Sequence, residues 1–265
     1  MTIKIISATA VLAAVFSGSA FAQDSNQAFD TSRLANSSLY IGGAYSRAEL
    51  DTSTGGFNTV GLFQNFDCGS GTLAPPVPGF PSSCSNEEDV DGWSVFAGFE
   101  DVIHVTDNVS VRIEGEYSSY DDAALTTGSF PGPPGPPAFF YRTTISDLEA
   151  GFANAYLDFD INDRLTLFIG GGIGASSVEI ATNDFVVSGS GSETNFAYNI
   201  GFGASVEVLP GIDVFGNFRY VNFGKTDINL VGGGGGPAGN YTVDLDATEA
   251  RVGVKVKLGE AFGGS

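Results

Sequence analysis

The chain has 265 residues, a formal net charge of −20, 22 phenylalanines and 37 glycines. That length holds one or two domains, and β-barrels often use it as one. Such acidity excludes nucleic acid and anionic ligands by repulsion, while the aromatic content and regular alternation exclude disorder, the other common meaning of high charge.

Residues 1–22 read as a cleaved signal peptide, with Lys4 as the charged start, 5–16 as a short apolar core and Ala20, Phe21 and Ala22 as a small-x-small site. Cleavage between Ala22 and Gln23 removes one Lys, taking the charge from −20 to about −21. The apolar core is too short to span a bilayer as a helix, and no later run approaches the necessary length. Residues 23–37 are expected to be a periplasmic N-terminal segment.

From there a two-residue period repeats eight times, over 38–50, 92–100, 109–120, 147–159, 165–178, 195–208, 212–223 and 248–258. The sixth is the clearest. Phe196, Tyr198, Ile200, Phe202, Val206 and Val208 share one face, and Asn195, Asn199, Gly201, Gly203 and Glu207 the other. A helix, with its period of 3.6, would mix these sets. The fourth has the least regular phase, and Asn154 is a candidate bulge there. Residues 259–265 form a short tail.

The connections alternate in length. Those at 101–107, 160–164 and 209–211 are short and carry turn residues. Those at 51–91, 121–146, 179–194 and 224–247 are long. This predicts an all-β, eight-stranded antiparallel up-and-down barrel spanning 38–258. Three features favour a transmembrane barrel over a soluble one with an apolar interior. The polar face is rich in Gly, including Gly42, Gly98, Gly170, Gly172, Gly174, Gly201 and Gly203, which suits a crowded lumen. Trp93, Tyr117, Phe196, Tyr198 and Tyr220 fall near strand ends on the apolar face, as interfacial girdles do. Each segment is also long enough for a tilted strand to cross hydrocarbon, and closure satisfies the backbone groups that lipid cannot. Short turns then face the periplasm and long loops the exterior.

Several segments resemble the small outer-membrane β-barrel family that includes the OmpA barrel, OmpX and the opacity-type surface proteins. The run Asn154, Ala155, Tyr156, Leu157, Asp158, Phe159, followed by a tight turn and by 165–174, is similar to that family's "N-x-Y-x-D-F … P-Y-x-G-x-G-x-G" hairpin. Phe218, Arg219, Tyr220, Val221, Asn222, Phe223 and Gly224 resemble its seventh strand, and Leu39 to Gly43 its first. One departure is that strand eight ends at Leu258, without the terminal aromatic such barrels usually carry. The resemblance implies localisation in the bacterial cell outer membrane. Its implied role is non-enzymatic, supporting membrane integrity and presenting loops for adhesion or interaction. A narrow, porin-like passive channel is the alternative. The implied partners are outer-membrane lipids, lipopolysaccharide and a host or environmental surface ligand, with a monomeric barrel and no cofactor.

The chemistry-bearing residues are few. Cys68 and Cys84 in an exported chain read as a disulfide, closing a loop worth roughly 3 kcal/mol. A reactive or metal-binding thiol pair would lack a neighbouring His. His104, the single histidine, lies in a periplasmic turn, opposite the end where lipid-modifying barrel hydrolases work, so no catalytic residue is assigned. Arg112, Glu114, Glu116, Glu207, Arg219, Glu249 and Arg251 fall on the polar face. They form either a gated ion path or a paired network plugging a lumen just wide enough for its own side chains. Lys255 and Lys257 share that face at the periplasmic end, where water would suffice for them. The acidic runs 86–91 and 121–122 read as solvated loops more readily than as a Ca²⁺ or Mg²⁺ site, and no metal is assigned. The glycine runs at 170–174 and 232–236 lack the context of a nucleotide loop. The proline-rich stretch 131–137 suits a stiff loop tip.

Overall fold

A computed structural model describes residues 38–58, 61–63, 86–130, 139–183 and 187–258. The Ala22–Gln23 cleavage position, Cys68, Cys84, the stretch 131–137 and the tail 259–265 lie outside these residues.

Ten strands form: β1 (Ser38–Asn58), β2 (Gly61–Phe63), β3 (Glu87–Thr106), β4 (Val109–Tyr120), β5 (Ala123–Phe130), β6 (Phe139–Asn162), β7 (Leu165–Asn183), β8 (Val187–Leu209), β9 (Ile212–Gly232) and β10 (Pro237–Lys257). Eight of them make the wall, in the order β1, β3, β4, β6, β7, β8, β9, β10, and β10 pairs with β1 to close it. The short β2 adds to β1, and β5 carries the β4 path onward beside β6. The all-β eight-stranded barrel is therefore as the alternation implies. Short turns fall at 107–108, 163–164 and 210–211, all at one end of the barrel.

Three local expectations change. The segment 101–107 is not a turn. β3 runs to Thr106, bent by a register shift between Phe99 and Ile103, with Asp101 at positive φ. Asn154 is not a bulge, since it pairs in register with Glu114 and Gly172. The irregularity in β6 lies instead between Ser146 and Glu149, with Asp147 at positive φ.

The largest difference concerns the outer connections. Much of what reads as long loop continues the wall. Thr52 to Asn58 of β1 pair with Gly239 to Leu245 of β10, and Glu179 to Asn183 of β7 pair on both sides. Most strands run to about twenty residues, roughly twice what is needed to cross a bilayer. The apolar set changes face partway along. On the first half of β1, Ile41 and Tyr45 point outward and are about half exposed. Further out, Ala48 and Leu50 point inward and are fully buried, while Glu49 and Asp51 face water. β7 repeats this, with Ile169 and Ile173 outside and then Val178 and Ile180 inside. β10 does so too, with Val252 and Val254 outside and then Leu245, Val243 and Tyr241 inside. The lower half is an inside-out barrel, apolar toward lipid. The upper half is built like a soluble one, apolar toward its own interior.

That upper interior holds one cluster of buried apolar side chains. Tyr120 and Phe223 stack edge-to-face with ring centres 5.4 Å apart. The Thr143 hydroxyl of β6 lies 3.0 Å from the Tyr241 hydroxyl of β10, on the far wall, and 3.1 Å from Thr182. At the join, Gly224 of β9 has φ +85° beside a register shift, so Phe223 is inserted as an extra residue against β10. A side chain at Gly224 would be strained at that φ and would close on Asn195 and on the Phe196 carbonyl.

Candidate functional site

The lower lumen is filled by three tiers of charged side chains. Their residues share one parity on each strand, which aims them inward. In the tier nearest the apolar core, Glu116 is the hub. Its carboxylate accepts from Arg219 at 2.8 Å, from Ser118 at 2.6 Å and from Asn154 at 3.1 Å, and it lies 3.2 Å from the Arg251 guanidinium. Arg219 also pairs with Glu249, and Arg251 donates to the Ser94 hydroxyl at 2.6 Å. Asn199 donates to Asn154 at 2.9 Å, extending the net to β8. Arg219, Glu116 and Glu249 are almost wholly shielded from solvent.

The middle tier is centred on Arg112. It donates two hydrogen bonds to Asp158, at 2.9 and 3.3 Å, and lies 3.3 Å from Glu114, which also accepts from the Tyr40 hydroxyl at 2.8 Å. Its guanidinium sits 4.2 Å from the centre of the Tyr156 ring, a cation–π contact. In the lowest tier Lys255 bridges Glu100 and Asp213, the latter at 3.1 Å, and Lys257 approaches the same two carboxylates.

Glycine makes the room. A Cβ on Gly172 would fall 2.0 Å from the Asn154 amide oxygen, and one on Gly201 would fall 2.6 Å from the Arg219 Cβ. Neither neighbour could keep its place in the network with a side chain there.

Of the residues singled out by parity, Arg112, Glu114, Glu116, Arg219, Glu249 and Arg251 come together inside the barrel. Glu207 stands apart, lining the mouth at the short-turn end. Lys255 does not simply face water. It is buried, because Glu100 and Asp213 occupy inward positions beside it. Asp158, Glu100, Asp213, Asn154 and Tyr40 were not anticipated, although the same parity marks them. Asp213 is four positions before Asn217 and six before Arg219, on the same face of β9.

Below the lowest tier a vestibule of about 430 Å³ opens at the short-turn end of the barrel. Above it, between the tiers, is a small pocket of about 30 Å³, room for roughly one water. Continuing outward, the apolar core fills the bore.

The outer wall is divided in the same way. Ile200, Phe202 and Phe218 project outward among the most exposed side chains. Trp93 stacks near Tyr117, and Tyr198 near Tyr220, at the upper edge of this apolar band. Beyond the edge the surface is acidic. Arg47 pairs with Asp89 at 2.9 Å, and Asp51 lies in register between Glu87 and Asp246. The run at 87–91 is thus strand, not loop. Among the described residues no three His, Cys, Asp or Glu side chains converge as a metal site would require. His104 is exposed, with its ring 4.0 Å from Asp101.

Residues 8–257 match the family model described as the outer membrane protein beta-barrel domain. The outer membrane protein PagN of Salmonella typhimurium is 32% identical over 82 residues, 29% of this chain and 34% of that protein. A Rickettsia prowazekii protein whose name proposes an adhesin is 31% identical over 80 residues, 29% of this chain and 36% of its own. The matched part thus spans about a third of the length of these curated relatives. Among solved structures, Neisserial surface protein A aligns over 83% of this chain and 97% of its own, at 14% identity and a TM-score of 0.45.

Proposed function

Because this chain belongs to the outer membrane protein beta-barrel family, we propose that it is a non-enzymatic surface protein of the bacterial outer membrane. It supports membrane integrity and offers its outer extension and loops to a host or environmental surface. Outer-membrane lipids and lipopolysaccharide surround a single barrel at the apolar band. The observation that carries this reading is the apolar core filling the outer half of the bore. A barrel with its outer end packed solid has its accessible chemistry on its surface, and here that surface is a β-wall standing beyond the aromatic girdle. Relatives named as an outer membrane protein and as a proposed adhesin support it.

The test is adhesion of a non-adherent bacterial host expressing the chain, counted on epithelial cells against a variant with 64–85 and 131–138 replaced by short Gly/Ser turns. The variant should bind at vector level while still shifting on unboiled SDS gels. Equal binding by both would overturn the surface role of those segments. Lipid A incubated with the purified protein should keep its mass, and a changed mass would replace the non-enzymatic reading. The periplasmic vestibule favours a second reading, the narrow passive channel. Stable ion steps in planar bilayers would establish it, and an electrically silent barrel would remove it.

A further inference from the structure

Surface display leaves one feature of the apolar band unexplained. On the outer wall of β4, β6, β7 and β8 lies an open groove of about 930 Å³. That is within the size range of ligand clefts, about 300–1,000 Å³. Its floor is made of small outward residues. Ala155 lies in register with Ile113 and Gly171, and Ala153 with Gly115 and Ile173. A Cβ on Gly171 would fall 2.3 Å from the Asn199 carbonyl oxygen, so the floor there cannot be raised without moving β8. Ile173, Phe196 and Ile200 stand beside it, 57–66% exposed. A depression bordered by such side chains offers hydrocarbon more dispersion contact than a flush wall does.

What covers the groove follows from its depth and from the charge above it. Its upper end is at Phe196 and Tyr198, beside the girdle, and the rest lies in the apolar band, so its occupant is hydrocarbon. A second copy would bring two acidic outer walls side by side, which like charge opposes. The next outward row above the groove is Ser119, Glu149, Ser177 and Thr194, paired in register across β4, β6, β7 and β8. Glu149 accepts from the Tyr117 hydroxyl. One row further out, Glu179 lies between Ser146 and Ser192. Neither row contains a Lys or Arg. Three hydroxyls suit a phosphodiester, and carboxylates with no cation beside them suit a primary ammonium rather than a second anion. We propose that the groove seats the acyl chain of a phospholipid with an ammonium head group, the phosphatidylethanolamine class. This rests on, and sharpens, the reading that outer-membrane lipid surrounds the barrel.

The test is native mass spectrometry of the full-length, detergent-folded protein mixed with equal amounts of phosphatidylethanolamine and phosphatidylglycerol of matched chains. Wild type should carry one lipid, with phosphatidylethanolamine ahead by about two- to fivefold, the range for a half-exposed ion pair. The double variant A153F/A155F fills the groove and should abolish both adducts. Glu149→Gln keeps an acceptor for Tyr117 and should keep one adduct while losing the preference. Val252→Phe, outward on β10 across the ring, should change nothing. Equal adducts of the two lipids on wild type, adducts surviving in A153F/A155F, or a dimer mass lost with that variant would overturn the proposal. If A153F/A155F fails the gel-shift test for folding, Glu149→Gln decides, and a retained preference there overturns it. Wild type that shifts on unboiled gels yet carries no lipid sinks the proposal and leaves the outer-membrane reading standing.

Discussion

Replacing Arg219 by Met removes the cation that Glu116 and Glu249 share. The substitution keeps the length and apolar stem of the side chain, so packing changes little and charge pairing changes most. Arg219 donates to Glu116 at 2.8 Å and pairs with Glu249, and the three side chains are at most 1% exposed. In the variant Arg251 alone is left to compensate two buried carboxylates. Breaking a buried pair by removing one partner costs about 3–5 kcal/mol. That corresponds to roughly two to nearly four orders of magnitude in the folding equilibrium. The assay is urea unfolding of the protein refolded in lipid vesicles, read by the gel-migration shift and by Trp93 fluorescence. The double variant R219M/E249Q removes a charge of each sign and should recover much of the loss. A destabilisation below about 1 kcal/mol, the range of solvent-exposed pairs, would mean that water solvates these carboxylates. The tiers would then not be a dry plug, and the channel reading would regain ground.

Two further outcomes are expected. Phe223→Ala, which empties a fully buried ring site against Tyr120, should cost about 3–5 kcal/mol in the same assay. A loss under 1 kcal/mol would deny that the outer half has a packed core. Asp246 lies above the girdle, in register with Asp51, and its pKa is raised by partial burial first and by the Asp51 charge second. A carboxyl whose folded pKa exceeds its unfolded one binds more protons when folded. Its ionisation therefore penalises the fold fully above the folded pKa, and the penalty disappears as pH falls toward the unfolded value. Asp246→Asn should accordingly raise the urea midpoint at pH 7 and lose that advantage near pH 4. An advantage that grows as pH falls would refute the sign.

Much of the barrel was legible in the amino-acid order. Strict alternation distinguishes strand from helix, and short turns between long connections set the up-and-down path. The glycines of the polar face marked the lumen before any contact was known. Inward parity on β4, β9 and β10 picked out Arg112, Glu116, Arg219 and Arg251. It could equally have picked out Asp158 on β6 and Asp213 on β9, which carry the same mark.

What the order of residues could not decide was the medium facing each side. Alternation separates two faces but does not say whether lipid, water or the chain itself covers them. Where β1 passes from Tyr45 to Leu50, the apolar residues move from the outer face to the inner one. Along the sequence this looks like the end of a strand, whereas in three dimensions it is the same strand leaving hydrocarbon for water. Partner choice across the lumen was equally hidden. Glu116 meets Arg219 103 positions away and Arg251 135 positions away. Only closure of the ring through β1 and β10 brings such residues within reach. It also converts Lys255 from a solvated end residue into a buried ion pair, because desolvation by the surrounding wall leaves Glu100 and Asp213 as its available counter-charges. Local pattern thus specified the strands and their two faces, and the closed barrel determined what each face touches.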